Sequence, residues 1–364
     1  AAIVVLGHDR EDELKSCLLS LGVLRDLPLF DLHVSLDDPD SEDKMRDVIQ
    51  EVTSTIGVPI TTWRIDKLEA ENVPGFQSEA QVKFLKTPTA KIAHHYHMVF
   101  QRVFDENDYR YGIFIEEDLV FSPDFLALFR SAAWLLEKDP SVWCVSGWND
   151  HGFFATSADS CRLRRTSYFP GLGFLLTRTA WEHVGPLWTM APTMGWDYWM
   201  RVQFRDFGKE CILPEIPRSH HNTSSKGSSV TLPKQFKLFK AMALAEIPNS
   251  CRLTAPCTQF GDLSYLVEEE YDKRIRDTLA HADFHPSKEV AGSKGRMPKK
   301  QDKSVIVIPY LQEEYVKMLD VLGLQPKETN GAIPTDVRAE HYGVSYARHM
   351  PSQQDIILVD RRNK

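Results

Sequence analysis

Tyr111-Gly112-Ile113-Phe114-Ile115 is an uninterrupted apolar run that ends abruptly in three acids, Glu116-Glu117-Asp118. A strand with one wet face alternates polar and apolar residues, so a run without alternation predicts a central strand covered on both faces. In an open parallel sheet ligands bind beyond the carboxyl ends of the strands, which puts the three acids where a crevice is expected. Adjacent carboxylates repel one another, and a cation would relieve the repulsion. Their hard oxygens suit magnesium or manganese, with a nucleotide diphosphate completing the coordination. The other reading is an acidic turn after a strand.

The flanking periodicity predicts what surrounds that strand. Residues 2–6 read as a buried strand, 11–22 as a helix with Leu14, Leu18, Leu19 and Leu21 inward, and 32–36 as a second strand ending in Asp37-Asp38-Pro39. A helix near 42–54 and a strand at 58–64 complete a strand–helix alternation, the pattern of a mainly parallel, doubly wound α/β sheet. In 90–105, Ile92, Tyr96, Val99, Phe100, Val103 and Phe104 share one helical face. Further helices are expected at 123–137, 195–206, 232–245 and 263–282, and a strand at 142–146. Residues 284–303 are rich in Lys, Gly, Pro and Ser, as linkers are. Beyond them, strands at 305–308 and 356–359 around a short helix near 312–322 suggest a small appendage. The expected organisation is therefore an α/β domain over 1–283, a linker over 284–303 and a small C-terminal α/β domain over 304–364.

Charge excludes one class of function. With a formal net charge of −8 over 364 residues, the chain offers nothing to neutralise a phosphate lattice, so no nucleic-acid partner is expected. No stretch approaches the roughly 18–20 apolar residues of a membrane span. One reading is a cytosolic protein. The other, favoured by residue 1 falling at a strand start, is a catalytic domain whose upstream membrane anchor has been removed. Six cysteines and the sequon Asn222-Thr223-Ser224 tilt towards a lumenal compartment.

Other residues carry chemistry less openly. Asp197 opens the helix 195–206, where the helix dipole favours an acid and Arg201 offers an i,i+4 ion pair. Trp196 and Trp199 flank it, a setting that could hold sugar rings and raise its pKa. His94, His95 and His97 make a poor zinc site, because His94 points away from the apolar face. His95 lies on the flank of that face, where it could hydrogen-bond into a cleft. After His220-His221, the loop Ser224-Ser225-Lys226-Gly227-Ser228-Ser229 either folds over a phosphate or is a plain flexible loop.

Several segments in register resemble one family. They are Ile115-Glu116-Glu117-Asp118-Leu119 with Pro123-Asp124-Phe125, Trp143-Cys144-Val145-Ser146-Gly147-Trp148-Asn149-Asp150, Phe169-Pro170-Gly171-Leu172-Gly173, and Trp196-Asp197-Tyr198-Trp199-Met200-Arg201. Asp262-Leu263-Ser264-Tyr265-Leu266 with Tyr271-Asp272 extends the match. Together they resemble the N-acetylglucosaminyltransferase I family of Golgi enzymes over residues 1 to about 280. The resemblance implies a GT-A type, Rossmann-like doubly wound mixed sheet. It also implies inverting transfer of GlcNAc from UDP-GlcNAc, in β-1,2 linkage, to a mannose of an N-glycan, with Mn2+ (or Mg2+) as cofactor. The implied setting is the Golgi lumen, as a type II membrane protein. By matching position, Asp118 would be the metal ligand, Glu117 would face the ribose or a metal-bound water, and Glu116 would contact the donor sugar. Arg10, Asp37 and His95 match uridine-binding positions. Leu172, Trp196 and Arg201 would line the donor sugar pocket, Ser229 would bind the donor from a closing loop, and Asp197 matches the catalytic base.

Departures accompany the match. Cys144 and Cys211 match a family disulfide, whereas the places of the family's first bridge are His8 and Asp38. Cys251 and Cys257 have no clear counterpart and are candidates to pair with each other. Residues 65–88 and 151–165 diverge, and such loops often shape an acceptor pocket. A related transferase with another acceptor or UDP-sugar, and an inactive sugar-binding relative, are the competing readings. Asp118, Asp197 and Arg201 argue against the second of these, and the motif order argues against a glycosidase built on Glu117 and Asp197.

Overall fold

The computed structural model describes residues 1–66, 78–153, 156–157, 159–188, 195–222, 239–245, 257, 260–287, 290, 305–321, 340–349 and 354–362. Its first half is the expected alternation: β1 (Ala2–Gly7), α1 (Glu11–Gly22), β2 (Asp31–Leu36), α2 (Glu42–Ile56) and β3 (Ile60–Arg64). After α3 (Glu79–Leu85) and α4 (Pro88–Gln101) come β4 (Tyr111–Glu116), β5 (Leu119–Phe121), α5 (Phe125–Ala132), α6 (Leu135–Lys138) and β6 (Val142–Ser146). Then follow β7 (Leu163–Thr166), β8 (Phe174–Thr177), α7 (Arg178–Val184), α8 (Trp196–Asp206), β9 (Glu210–Pro214) and β10 (Ser219–His221).

Eight of these strands form one sheet in the order β3-β2-β1-β4-β8-β6-β9-β7. β3, β2, β1 and β4 run parallel, β8 is antiparallel to both β4 and β6, and β7 is antiparallel to β9. The sheet is mixed and doubly wound, as expected. Successive side chains of a strand point to opposite faces, and β1 and β4 obey this: Ile3, Val5, Ile113 and Ile115 enter one core, and Val4, Leu6 and Phe114 enter the other. α1, α2 and α5 cover the first face, and α4, α7 and α8 the second. The second core is ring-rich: Phe100, Phe114 and Phe174 pack with centroids 4.6–6.4 Å apart. Each such buried ring contributes about 1.5–3 kcal/mol.

Helix ends follow local chemistry. Thr87 caps α4 by accepting from the Ala90 N–H at 3.3 Å, with Pro88 at the first helical position. α2 stops at Gly57 in the left-handed region (φ 68°). The helix expected over 90–105 widens into a π-turn at Arg102–Glu106, and Asp105 there accepts from the Trp181 indole N–H at 2.9 and 3.0 Å. The helix expected over 123–137 is divided into α5 and α6. Most of the one expected over 232–245 lies outside the described residues.

A second sheet pairs Asp283–Phe284, Ile306–Tyr310, Gln354–Asp360 and Val344–His349 in that spatial order. The expected boundary at 283/284 falls within its first strand, and most of the 284–303 segment lies outside the described residues. Trp148, Phe153 and Met242 share a core with Ile306, Tyr310 and Tyr315, so this unit docks against the larger domain. No helix among the described residues is long and apolar enough to cross a membrane.

The docking includes a buried ionic staple. His341 Nδ1 lies 2.6 Å from Glu210 and its Nε2 lies 2.8 Å from Asp272. Burial works against the charged imidazole, but the hydrogen bonds and fields of Glu210 and Asp272 outweigh it and raise the pKa. A raised histidine pKa means stabilisation that is complete below the unfolded value near 6.5 and is lost as pH rises through the folded value. The thermal midpoint of wild type should therefore exceed that of His341→Gln at pH 6, and the gap should narrow towards pH 9. A gap independent of pH would show that His341 is held neutral.

The cysteine expectations are corrected. Cys161 and Cys257 form the disulfide, closing a loop of 96 residues, so Cys257 does not pair with Cys251. Cys144 and Cys211 face each other in register across β6 and β9 but are free thiols, both fully buried.

Candidate functional site

β1, β2 and β4 end side by side, and the chain places a polar group at each exit. At the end of β4, Glu117 and Asp118 are 1% and 4% exposed, an unusual depth for adjacent carboxylates. Arg10, just beyond β1, makes this possible. Its Nε donates to Glu117 at 2.7 Å and its Nη1 to Asp118 at 2.8 Å. The His8 backbone N–H adds a hydrogen bond to the other oxygen of Glu117 at 2.9 Å. Glu116 turns the other way and accepts from the Tyr96 hydroxyl at 2.9 Å.

The three acids therefore differ electrostatically. Burial and the Asp118 charge raise the Glu116 pKa. Burial pushes Glu117 up to about 7 in spite of Arg10. Burial alone would raise Asp118 too, but His221 and Arg10 outweigh it and hold that carboxyl below the usual range. The short antiparallel ribbon of β5 and β10 sets His221 opposite Leu119. Its Nδ1 lies 3.5 Å from Asp118 Oδ2, and the Asn222 N–H donates to the Asp118 carbonyl at 2.7 Å.

A second cluster closes the β2 exit. Asp37 accepts from His8 at 2.7 Å and lies 3.4 Å from His95 Nδ1, while His95 Nε2 and the Ser35 hydroxyl share a hydrogen bond of 2.8 Å. Burial opposes the charge on Asp37, yet its two histidine partners hold its pKa below the carboxylate range. His95 is 5% exposed and faces the strand ends, as its place on the helix flank predicts. His94 instead bonds the Asp66 carbonyl at 3.1 Å.

The third element is the turn before β8. Gly171, Leu172 and Gly173 all adopt left-handed φ values (68°, 52° and 82°). Glycine tolerates this, but at Leu172 it is strained, and strain of this kind persists where neighbours over-determine it. They do so here: the carbonyls of Gly171, Leu172 and Gly173 accept from Ser146, Ser219 and Gly147.

α8 carries Asp197 to the same region. Gly195 precedes it at φ 90°, and a Cβ there would sit 3.3 Å from an Asp197 carboxylate oxygen. Asp197 is ion-paired with Arg201 at 2.9 Å, one turn on. Arg201 also donates to the Phe169 carbonyl at 3.2 Å and stacks over Tyr168 at 4.6 Å. Trp196 does not present a free ring to the crevice. It is 7% exposed and stacks on Tyr96 at 3.7 Å, and Trp199 packs against Trp188 at 4.8 Å. Tyr96 thus connects the two halves, with its hydroxyl on Glu116, its ring on Trp196, and the charges of Asp118 and Asp197 both acting on it.

Arg10, Asp37, His95, Glu116, Glu117 and Asp118 thus gather at the carboxyl ends of β1, β2 and β4. Leu172, Trp196, Asp197 and Arg201 lie on the β8 turn and α8, tied to that cluster through Tyr96. Ser229 and its loop lie outside the described residues. Tyr96, His8 and His221 were not legible as site residues. Tyr96 has the spacing of a core residue, and only strand pairing 100 residues away brings His221 to Asp118.

The chemistry of the cluster fits a divalent cation held by few protein groups. Among the described residues Asp118 Oδ1 is buried without a hydrogen-bond partner, which is costly unless something electropositive meets it. Among the described residues no three His, Cys, Asp or Glu side chains converge as a metal cage. A metal here would take its remaining oxygens from a ligand or water, as magnesium and manganese commonly do.

Known proteins match this chain over most of its length. The model of the GNT-I family matches residues 1–344. An Arabidopsis thaliana alpha-1,3-mannosyl-glycoprotein 2-beta-N-acetylglucosaminyltransferase is 35% identical over 194 residues, 53% of this chain and 40% of that protein. The match therefore spans about two fifths of the curated relative. A solved structure of S. aureus TarS 1–349 superposes with a TM-score of 0.40 at 9% identity, covering 92% of this chain and 80% of that one, a likeness too slight to carry an argument.

Proposed function

The chain belongs to the GNT-I family, and from that membership we propose that it is a glycosyltransferase that moves GlcNAc from UDP-GlcNAc onto a mannose of an N-glycan, by inversion and in β-1,2 linkage. The observation that carries this reading is the buried, unpartnered Oδ1 of Asp118 at the exit of β4. Such an oxygen suits a divalent cation, and it is set where an α/β sheet binds nucleotides. Asp118 is the residue that would hold Mn2+, or Mg2+, with UDP oxygens completing the set. When bound, the metal supplies Lewis-acid stabilisation of the charge on departing UDP.

The chain's own residues do the rest. His95, fixed by Ser35, and Asp37, fixed by His8, present a rigid polar edge to the uridine. Arg10 holds Glu117 in place for the ribose or a bound water, and Tyr96 holds Glu116 towards the donor sugar. The strained Leu172 turn and Arg201 line that sugar's pocket, with Trp196 as the wall behind it. Asp197 takes the proton from the attacking mannose hydroxyl, and Arg201 fixes the direction of its carboxylate. Ser229 and its loop close over the donor and exclude water. The compartment proposed is the Golgi lumen.

A donor and acceptor screen with and without manganese tests the proposal. UDP release is expected only with UDP-GlcNAc, a mannose-terminated N-glycan and the metal together. Asp118→Asn should abolish the manganese dependence of UDP binding measured by calorimetry. Release with another sugar nucleotide or acceptor, or the absence of release with all of them, would overturn it.

A further inference from the structure

The structure holds a second built cavity, remote from the acid cluster. It is an open pocket of about 370 Å³, towards the lower end of the range of small-molecule sites, roughly 300–1,000 Å³. Three elements converge on it: the segment leading into β7, the helix Glu268–Ala280 with the turn before it, and the strand Val344–His349. β7 is the far edge of the large sheet, four strands from β4. At a strand spacing of about 4.8 Å the cavity lies on the order of 20 Å from Asp118.

Its lining combines three guanidiniums, Arg162, Arg164 and Arg274, with three phenol rings, Tyr265, Tyr271 and Tyr346. Arg164 lies over the Tyr346 ring at 4.1 Å, and Arg274 over Tyr265 at 4.8 Å. Glu215 pairs with Arg164 at 2.8 Å and Arg162 at 3.5 Å, and Asp159 with Arg162 at 3.3 Å. Two carboxylates thus oppose three guanidiniums. Arg274 is left with no carboxylate at ion-pair distance among the described residues, although its charge acts on the exposed Asp262. A second observation points the same way. Tyr271 is 5% exposed; the Arg165 backbone N–H approaches its hydroxyl oxygen, but the O–H finds no acceptor among the described residues. A buried O–H donor without an acceptor is costly, and a ligand oxygen would relieve it. Cys161, bridged to Cys257, is part of the lining.

We propose that this cavity binds an anionic sugar, a pyranose bearing a phosphate or carboxylate group. Arg274 takes the anion through its planar fork. The tyrosine rings take the apolar face of the pyranose, and the Tyr271 hydroxyl bonds a ring substituent. The site is independent of the transferase reading, since it shares no residue with the acid cluster.

Titration calorimetry with mannose 6-phosphate, glucuronic acid, inorganic phosphate and neutral methyl mannoside tests it. Saturable binding of one or both anionic sugars is expected, at least about tenfold tighter than inorganic phosphate or the neutral sugar. Arg274→Met should weaken it at least about tenfold and Tyr271→Phe by less. Arg274→Lys should fall between, which keeps the test usable if the methionine variant folds poorly. Asp118→Asn should leave the affinity unchanged. No binding, equal binding of the neutral sugar or of phosphate alone, or a loss with Asp118→Asn rather than with the Arg274 variants, would each overturn the proposal.

Discussion

Asp197→Asn is expected to lower the turnover number of GlcNAc transfer by about 10²–10⁴-fold, the usual contribution of a general base. UDP-GlcNAc binding should survive. The substitution keeps side-chain volume and leaves α8 untouched. The Asp197–Arg201 pair is partly exposed, with Asp197 at 43%, so its loss costs the fold little. Donor binding rests on residues at the other strand exits, Arg10, Asp37, His95 and the acid triplet. Transfer rates and donor calorimetry on the same preparation separate the two effects. Turnover within a few-fold of wild type would remove Asp197 from the chemistry and leave it as the first-turn acid of a helix.

The largest effect on stability is expected at Arg165. Its side chain is fully buried and satisfied on every side. It donates to Glu210 at 2.6 Å, Asp139 at 2.6 Å, the Ser141 hydroxyl at 2.5 Å and the Leu266 carbonyl at 2.8 Å. Asp139 in turn accepts from the Glu268 N–H at 2.8 Å, and Glu210 holds His341. One guanidinium thus joins β6, β7, β9, the helix Glu268–Ala280 and the C-terminal unit. Arg165→Met would leave buried Asp139 without its cation and Glu210 with His341 alone, at a cost of about 3–5 kcal/mol. At about 1.3 °C per kcal/mol for a chain of this size, the thermal midpoint should fall by roughly 4–7 °C. Adding Asp139→Asn should recover part of the loss, because it removes the stranded charge. A midpoint within about 2 °C of wild type, on the same scale, would show that water enters and solvates the network.

Much of the architecture was written in local patterns. The unbroken apolar strand 111–115 implied a sheet covered on both faces, and β1 and β4 divide their side chains between two cores as that implies. The spacing around Tyr96 implied the helix and put His95 on its flank. Periodicity is a property of neighbouring residues, so the chain displays it without being folded. Strands such as β8 and β10 escaped notice because three or four residues are too few to show a period.

Which groups meet was decided only by the tertiary structure. The acid triplet was visible in the sequence, but nothing there showed that Arg10, 107 residues from Glu117, neutralises Glu117 and Asp118, or that His221 also closes on Asp118. Spacing along the chain likewise gave no hint that Cys257 joins Cys161, or that Cys144 and Cys211 stay reduced face to face. Trp196 seemed to flank Asp197 as a sugar platform and proved to be stacked on Tyr96. The reason is common to all of these. Local backbone preference depends on near neighbours, whereas a buried charge, thiol or ring takes its partner from strand register and helix packing, which exist only once the whole chain has folded.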